Sequence, residues 1–369
     1  MIVFPQARHF VSKDQFHNEF CASVPPVLTV KPGELIEIET NDCFHGKITP
    51  DSKNPNKIIE AIPTNQRNPV TGPIYIEGAM PGDVLAVKLL DIRPNGVGVA
   101  CCGTHSGQLC HWVSQSTSTR FFDLSENGKV VTMRDDDDDD NNNNNNDPTM
   151  STMCRRIGPI TFPAKPMLGV IGVAPAGGEP IATMPAGKHG GNLDNQCNWI
   201  GSTIYLPINH PGALLSVGDM HASQGDGEIC GTGVEIGGHV LLQCNVLKHA
   251  DLYSHESGAT GTTNNPPVKV EYPVTETSTH WITHGIMVEN IPQSTVIACE
   301  EAAKLLVGQW GFTAEEAFIF LSVKGDLGMC QSCHPDVGTQ ITKMSVPKLS
   351  MCPKPFRFLL RSEEEYVYS

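Results

Sequence analysis

The chain has 369 residues, 39% hydrophobic and only 6% aromatic, with 25 Lys and Arg against 40 Asp and Glu for a net charge of −15. That length supports a large core and more than one structural unit. Six of the negatives lie in the run at residues 135–140, leaving −9 elsewhere, so the chain offers no basic surface for nucleic acid or anionic membrane.

The N-terminus, MIVFPQARHFVSKDQ, lacks a basic segment followed by an apolar one, and no apolar run approaches bilayer length. A soluble, cytoplasmic protein is expected, and its 13 scattered cysteines read as reduced thiols. With 35 glycines and 28 prolines, short strands and many turns are favoured over long helices. The first β-rich block begins near Val24, where PPVLTVKPGELIEIETNDCFHG carries apolar Leu35, Ile36 and Ile38 and ends in a polar turn. Further strands are predicted at 73–76, 84–90, 168–173, 203–207, 213–217, 239–247 and 268–272. Between them, DDDDDDNNNNNND at 135–147 has nothing apolar to bury and reads as a disordered surface insertion with no specific cation role. Helical signal comes late. One helix is predicted over 294–307, stopping at Gly308, and another over 312–323, opening on the capping-box spacing Thr313-Ala-Glu-Glu316. The predicted fold is mainly β, of sandwich- or barrel-like domains, with a C-terminal α+β portion. Three parts are expected: an N-terminal β-rich domain (1–185), a central β domain carrying the active-site loops (186–290), and the α+β portion (291–369).

Candidate chemistry concentrates in residues 188–235. There GDMHASQGDGE places Asp219, His221, Asp226 and Glu228 within ten residues, after the apolar run ALLSV. Asp219 and His221 are two apart, so on extended backbone they point the same way and can share one divalent ion or one water. Gly218, Gly225 and Gly227 suit tight turns beside a ligand, although Asp, Gly and Ser also populate ordinary solvated turns. Just upstream, KHGGNLD combines Lys188, His189, Asn192 and Asp194, and the strand-end turn at 41–46 offers Asp42 and His45. His284, alone in an apolar stretch, reads as a hydrogen-bonded structural residue. Cys330-Gln331-Ser332-Cys333-His334 matches a haem attachment pattern, which is rejected for want of an export signal and a helical setting. A zinc pair of Cys330 and Cys333, completed by Cys352 or His334, would have no standard spacing. Absence of a Gly-x-Ser-x-Gly elbow, His-Glu-x-x-His, a Walker A loop and a dinucleotide glycine motif leaves serine-hydrolase and nicotinamide mechanisms without support.

The segments GGNLD, GSTIYLPI and GALLSVGDMHASQGDGEICG resemble the acetamidase/formamidase family of short-chain amide hydrolases, with weaker support from PGELIEIET, PIYIEGAMPGDVLAVKLLDI and AFIFLSVKGDLGMCQ. GDLGMCQSCHP departs from the family's late segment, nearer GDLRISQ, and the Asp/Asn insertion is foreign to the pattern. The resemblance implies hydrolysis of formamide or acetamide to the acid and ammonia, a mainly β architecture, a homo-oligomer, and a divalent metal, with zinc the expected ion. Carried over by motif, the implied positions are Asn192, Asp194, Asp219, His221, Gln224, Asp226 and Glu228. Asp219 and His221, helped by Asp42 or His45 and by Asp194, are expected to hold the metal; Glu228, Asp226, Asn192 and Gln224 form the expected catalytic set. Of these, Glu228 would move the proton and Asn192 would face the oxyanion. Two other readings stay open: a metal-free amide hydrolase using a cysteine such as Cys230, and a catalytically silent β-rich small-molecule-binding protein.

Overall fold

A strand with one face on a core buries every second residue, and one covered on both faces buries all of them. Leu35–Thr40 is of the first kind, burying Ile36, Ile38 and Thr40 while Glu37 and Glu39 lean outward. Leu215–His221 is of the second, buried at all seven positions, so Asp219 and His221 go into the interior with their apolar neighbours. The computed structural model describes residues 7–134, 159–249, 269–333 and 338–350. The Asp/Asn insertion, His334 and Cys352 lie outside the described residues.

The protein is mainly β. A nine-stranded sheet runs His9–Val11, Leu35–Thr40, Gly238–Leu247, Val84–Pro94, Thr203–Pro207, Val274–Glu276, His280–Val288, Thr339–Pro347 and Asp326–Gln331. A seven-stranded sheet runs Ala186–Gly187, Gly190–Asn192, Met167–Gly172, Leu215–His221, Val70–Ile76 and Phe16–His17, with Leu28–Val30 parallel to Val70–Ile76. Strands from all three expected parts, 1–185, 186–290 and 291–369, thus hydrogen-bond within one sheet. A four-stranded meander, Val97–Cys102 to Ile160–Pro163, adds a further sheet.

Strand periodicity builds the layers. Leu85, Val87 and Leu89 enter a core shared with Ile74, Ile171 and Val217 of the seven-stranded sheet, while Val84 and Ala86 point into a second core with Tyr205, Trp281 and Met344. That second core is closed by Ala298, Ala302, Leu305 and Leu306 of the helix Ile291–Trp310 and by Ala317 and Leu321 of the helix Ala314–Lys324. One face of the large sheet therefore packs on strands and the other on helices. Gly285 makes the helix contact possible, because a Cβ there would lie 1.7 Å from the Ser294 carbonyl oxygen.

The capping box is present: Glu316 N donates to Thr313 Oγ1 at 3.1 Å and Thr313 N to Glu316 Oε2 at 2.8 Å. Three local expectations are corrected. The first helix does not stop at Gly308. It runs from an Asn290 cap to Trp310 and ends at Gly311, whose φ of 72° supplies the left-handed turn; an interior glycine weakens a helix without ending it when packing continues. Of the strand expected over 268–272, residue 268 lies outside the described residues and 269–272 are not strand; the strand here is Val274–Glu276, beginning only after Pro273, which has no N–H to pair. The strand expected over 213–217 begins at Leu215, after Ala213 and Leu214 at positive φ, and runs on through Asp219 to His221. A short helix, Pro55–Ala61, capped by Asn54, was not legible in the pattern; it contributes Ile59 and Glu60 to the cavity described next. Among the described residues no helix is long and apolar enough to cross a membrane.

Candidate active site

Six segments of the chain meet at one end of the seven-stranded sheet. Asp219 and His221 come from the strand Leu215–His221, Asp194 follows Gly190–Asn192, Glu228 lies in the GDGE turn, and Glu235 precedes Gly238–Leu247. Gln331 ends the edge strand Asp326–Gln331, and Cys43 sits in the turn after Leu35–Thr40. The two carboxylates of Asp194 and Asp219 close over Gly169, where a Cβ would lie 2.6 Å from an oxygen of each; only glycine leaves that space.

The geometry is tight. His221 Nε2 lies 3.1 Å from Glu235 Oε1 and 3.5 Å from Asp219 Oδ1. Its Nδ1–H donates to Gln224 Oε1 at 2.8 Å, and Gln224 Nε2 donates to the Asp194 carbonyl at 2.6 Å, which fixes the ring and turns Nε2 toward the acids. Asn68 Nδ2 donates to Asp219 Oδ2 at 3.1 Å. Gln331 Nε2 donates to Asp194 Oδ2 and, at 3.2 Å, to Glu228 Oε2, which also receives the Cys333 thiol at 3.7 Å. Asp194, Asp219 and Glu228 all hold φ between 42° and 55°, and Asn68 joins them at 54°. Non-glycine residues seldom adopt that left-handed conformation, so the fold stores backbone strain at these acids.

Burial sets the electrostatics. Asp194, Asp219, Glu228 and Glu235 are each less than a tenth exposed, and His221 is fully buried. Desolvation raises Asp194 well above the carboxylate range, and the charges of Glu228 and Asp219 raise it further. Glu228 moves up for the same first reason. Glu235 is pushed up to about 8, by burial first and then by Asp219, against the opposing pull of His221. For His221 desolvation favours the neutral ring, but Glu235 and Asp219 outweigh it and the net shift is strongly upward.

Several buried atoms have no hydrogen-bond partner: Asn192 Oδ1, Asp194 Oδ1, Asp219 Oδ1, His221 Nε2 and Glu235 Oε2. Four carboxylates crowded around one imidazole, with unpaired lone pairs, cost several kcal/mol unless protons or a cation compensate them. The donor set fits a divalent metal: the ligating atoms of Asp194, His221 and Glu228 lie within 4.8 Å of one another, and Asp219 Oδ1 lies 3.5 Å from His221 Nε2, so Asp219 can join Asp194 and His221 and leave Glu228 beside them. Asn192, Asp194, Asp219, Glu228 and Glu235 face a cavity of about 670 Å³, with Arg67 and Ile59 among the other lining residues.

Residues 5–182 and 176–347 match the acetamidase/formamidase family. The chain belongs to that family. It is similar to an acetamidase of Mycolicibacterium smegmatis, 30% identical over 359 residues that cover 83% of this chain and 84% of the relative. A formamidase of Methylophilus methylotrophus is 27% identical over 266 residues, 63% of this chain and 64% of that protein. Among solved structures, an acetamidase from Bacillus halodurans superposes with a TM-score of 0.73 at 31% identity, covering 92% of this chain and 97% of that one. Membership in the acetamidase/formamidase family makes this chain an amidase by class.

Within this acetamidase/formamidase fold the sequence candidates separate. Asp194, Asp219, His221 and Glu228 come together, with Asn192 at the cavity wall and Gln224 behind His221. Asp226 does not join them. Its side chain is 43% exposed and pairs with Lys343 at 2.5 Å. Asp42 is buried beside the cluster, but its Oδ1 accepts from Phe44 N at 2.8 Å and Gly46 N at 2.9 Å, closing its own turn. His45 lies apart, its Nε2 2.5 Å from the Gln66 carbonyl and its ring edge-on to Phe16. Glu235, Cys43, Asn68 and Gln331 were given no role by the sequence reading, and Cys333 was weighed there only within a rejected haem pattern and as a zinc ligand paired with Cys330. Only Glu235 carried a local signal, a carboxylate between Val234 and Ile236 where strand alternation puts buried positions nearby. Cys330 packs in the apolar core while Cys333 faces Glu228, so the two thiols serve different surroundings. Burial pushes the Cys230 thiol up, and Cys101 to about 12, the opposite of what an activated thiolate requires.

Proposed function

We propose that this amidase hydrolyses short-chain aliphatic amides, formamide and acetamide, to the carboxylic acid and ammonia with the help of a divalent metal, zinc being the expected ion. The observation that carries the reading is the buried cluster of four carboxylates at the cavity wall, with the His221 imidazole behind them and unpaired atoms among them. The acetamidase and formamidase relatives supply the substrate class. Asp219 and His221, with Asp194, would hold the metal, and Gln224 would keep the His221 lone pair directed at it. When bound, such an ion lowers the pKa of water to about 7 and polarises a carbonyl.

The chain's own groups do the rest. Glu228, held by Gln331 and Cys333, takes a proton from the attacking water as its oxygen bonds the carbonyl carbon. It then returns that proton to nitrogen as the C–N bond breaks and ammonia leaves; burial shifts its pKa upward, which makes the carboxylate a better proton acceptor for the first half of the exchange. Asn192 lines the cavity where the oxyanion develops and contributes its side-chain amide there. The reading extends to a cytoplasmic homo-oligomer, supported by the exposed apolar residues Phe318, Ile319, Val323 and Leu327, and a monomeric sedimentation coefficient would remove that extension.

Ammonia release from formamide and acetamide tests the function, measured before chelation, after it, and after zinc is restored. Turnover that disappears and returns with zinc is expected. Turnover indifferent to chelation would overturn the metal reading, and no release from either amide would overturn the substrate assignment.

A further inference from the structure

Asp226 leaves the acid cluster, and what it touches gives it another task. The GDGE turn surfaces at Gly225 and Asp226, both exposed, and returns to the interior at Gly227 and Glu228, both buried. Three contacts tie it to the edge strand Asp326–Gln331 and that strand's neighbour, Thr339–Pro347. Gly227 N donates to the Cys330 carbonyl at 3.1 Å, Ser332 N donates to the Gly227 carbonyl at 3.0 Å, and Lys343 Nζ donates to Asp226 Oδ1 at 2.5 Å. Gly227 thereby bridges to Gln331, the residue whose side-chain amide holds Glu228 Oε2.

Lys343 lies opposite Gly328 in the sheet, with its side chain 7% exposed, and among the described residues no other carboxylate pairs with it. A buried ammonium without a partner is costly, so Lys343 holds the turn as firmly as Asp226 holds Lys343. Glu228 needs that hold, because its φ of 43° is one that a non-glycine residue keeps only where its surroundings impose it. Gly328 makes room for the contact: a Cβ there would lie 3.2 Å from Lys343 Cε and 4.0 Å from Asp226 Oδ2. The pattern GDLRISQ carries arginine at this position. Here the backbone is bare, and the neighbouring strand brings the cation across instead.

We propose that the Lys343–Asp226 ion pair is a positioning device for Glu228: it clamps the GDGE turn onto the edge strand, so that Glu228 and Gln331 keep the register in which the amide of one holds the carboxylate of the other. Neither Lys343 nor Asp226 lines the cavity, so both act through Glu228 and not on the reacting atoms. The signature of such a clamp is a lower kcat at constant KM, because the cavity still binds the amide while the proton-transfer group is misplaced. The inference rests on the amidase reading for the role of Glu228.

The test is ammonia-release kinetics joined to hydrogen exchange on the full chain. Lys343→Met and Asp226→Asn should each lower kcat about 10- to 100-fold, the scale of a reacting group misplaced by about an ångström. KM for acetamide and far-UV circular dichroism should hold, and amide exchange in a peptide spanning 225–232 should quicken. Two further variants return the charge: Lys343→Arg in place, and Gly328→Arg combined with Lys343→Ala, which puts the cation on the edge strand itself. Both should recover most of kcat and slow the exchange again. Unchanged turnover in Lys343→Met and Asp226→Asn, or a loss that neither returned charge reverses, would overturn the clamp. Should Lys343→Met fail to fold, Asp226→Asn, altered on the exposed side of the pair, still decides. Glu228→Gln separates the two claims. Full turnover in that variant sinks the role of Glu228 and leaves the exchange rates to decide the clamp, whereas turnover lost there but kept in Lys343→Met sinks the clamp alone.

Discussion

Two histidines, His221 and His284, are both fully buried, yet their surroundings drive them in opposite directions. His284 is satisfied on both sides of its ring: Nδ1–H donates to the Pro273 carbonyl at 2.7 Å and Nε2 accepts from Asn195 Nδ2 at 2.9 Å. With no carboxylate beside it, burial lowers its pKa to about 4 and the ring stays neutral. His221 has one satisfied nitrogen, while the other faces Glu235 and Asp219 without a hydrogen bond, and those carboxylates raise it. Depth is the same in both places. The chemistry of the partners, and what they leave unpaired, distinguishes a structural imidazole from one poised for a ligand.

Metal removal should separate the regions most sharply. Chelation is expected to abolish ammonia release while far-UV circular dichroism stays unchanged, because the His284 region needs no ion; retained turnover would break the distinction. Next comes Glu228→Gln, which should keep fold and metal content but lower kcat by about 10²- to 10⁴-fold, the range typical of a lost general acid–base. Steady-state kinetics near the unaltered value would refute the role of Glu228.

His284→Ala inverts the pattern. It opens a cavity, leaves Asn195 Nδ2 only its longer 3.4 Å bond to Thr275 Oγ1 and takes the donor from the Pro273 carbonyl, so a loss of about 2–4 kcal/mol in denaturant-measured stability is expected, with metal content retained. A loss of metal with stability preserved would mean that His284 belongs to the site.

A smaller effect appears in the pH dependence of the metal-free protein. Glu235, at about 8 against an ordinary 4.5, holds a proton in the folded state that the unfolded chain releases. Its contribution is present below the ordinary value and lost as pH rises through about 8. His284, at about 4 against 6.5, contributes above the ordinary value and loses that contribution as pH falls toward 4. Melting temperatures across that range should therefore fall at both ends, and Glu235→Gln should flatten the alkaline arm alone; an unchanged alkaline arm would show that Glu235 is not its source. Smallest of all is deletion of the 135–147 tract, expected from its composition to leave turnover and melting unchanged. A large kinetic defect in that deletion would overturn the expectation.

Much of the fold was written in local pattern. The alternation in LIEIET, the apolar run of Thr203–Pro207 and the Thr313–Glu316 capping box each satisfy their own backbone and their own face, so neighbours in sequence suffice to read them. The loops bearing Asp194, Asp219, His221 and Glu228 were legible for a similar reason: acids, a histidine and glycines crowd between apolar strands within 41 positions, 188 to 228.

Convergence was not local. Glu235 reaches His221 because the chain returns beside its own strand end, with an isolated bridge between His221 and Glu235, and Gln331 arrives from an edge strand more than a hundred residues away. Nothing in the spacing of GDGE distinguishes Asp226, which turns out to Lys343, from Glu228, which turns in to Gln331. By itself the sequence determined the most strongly patterned strands, the Thr313 cap of the second C-terminal helix and where acids, a histidine and glycines crowd together, because these depend on side-chain periodicity and turn preference over a few residues. Only the tertiary structure decided which acids share the cavity and which imidazole faces carboxylates, because sheet pairing between distant strands sets those distances, and electrostatic energy in a buried site depends on them.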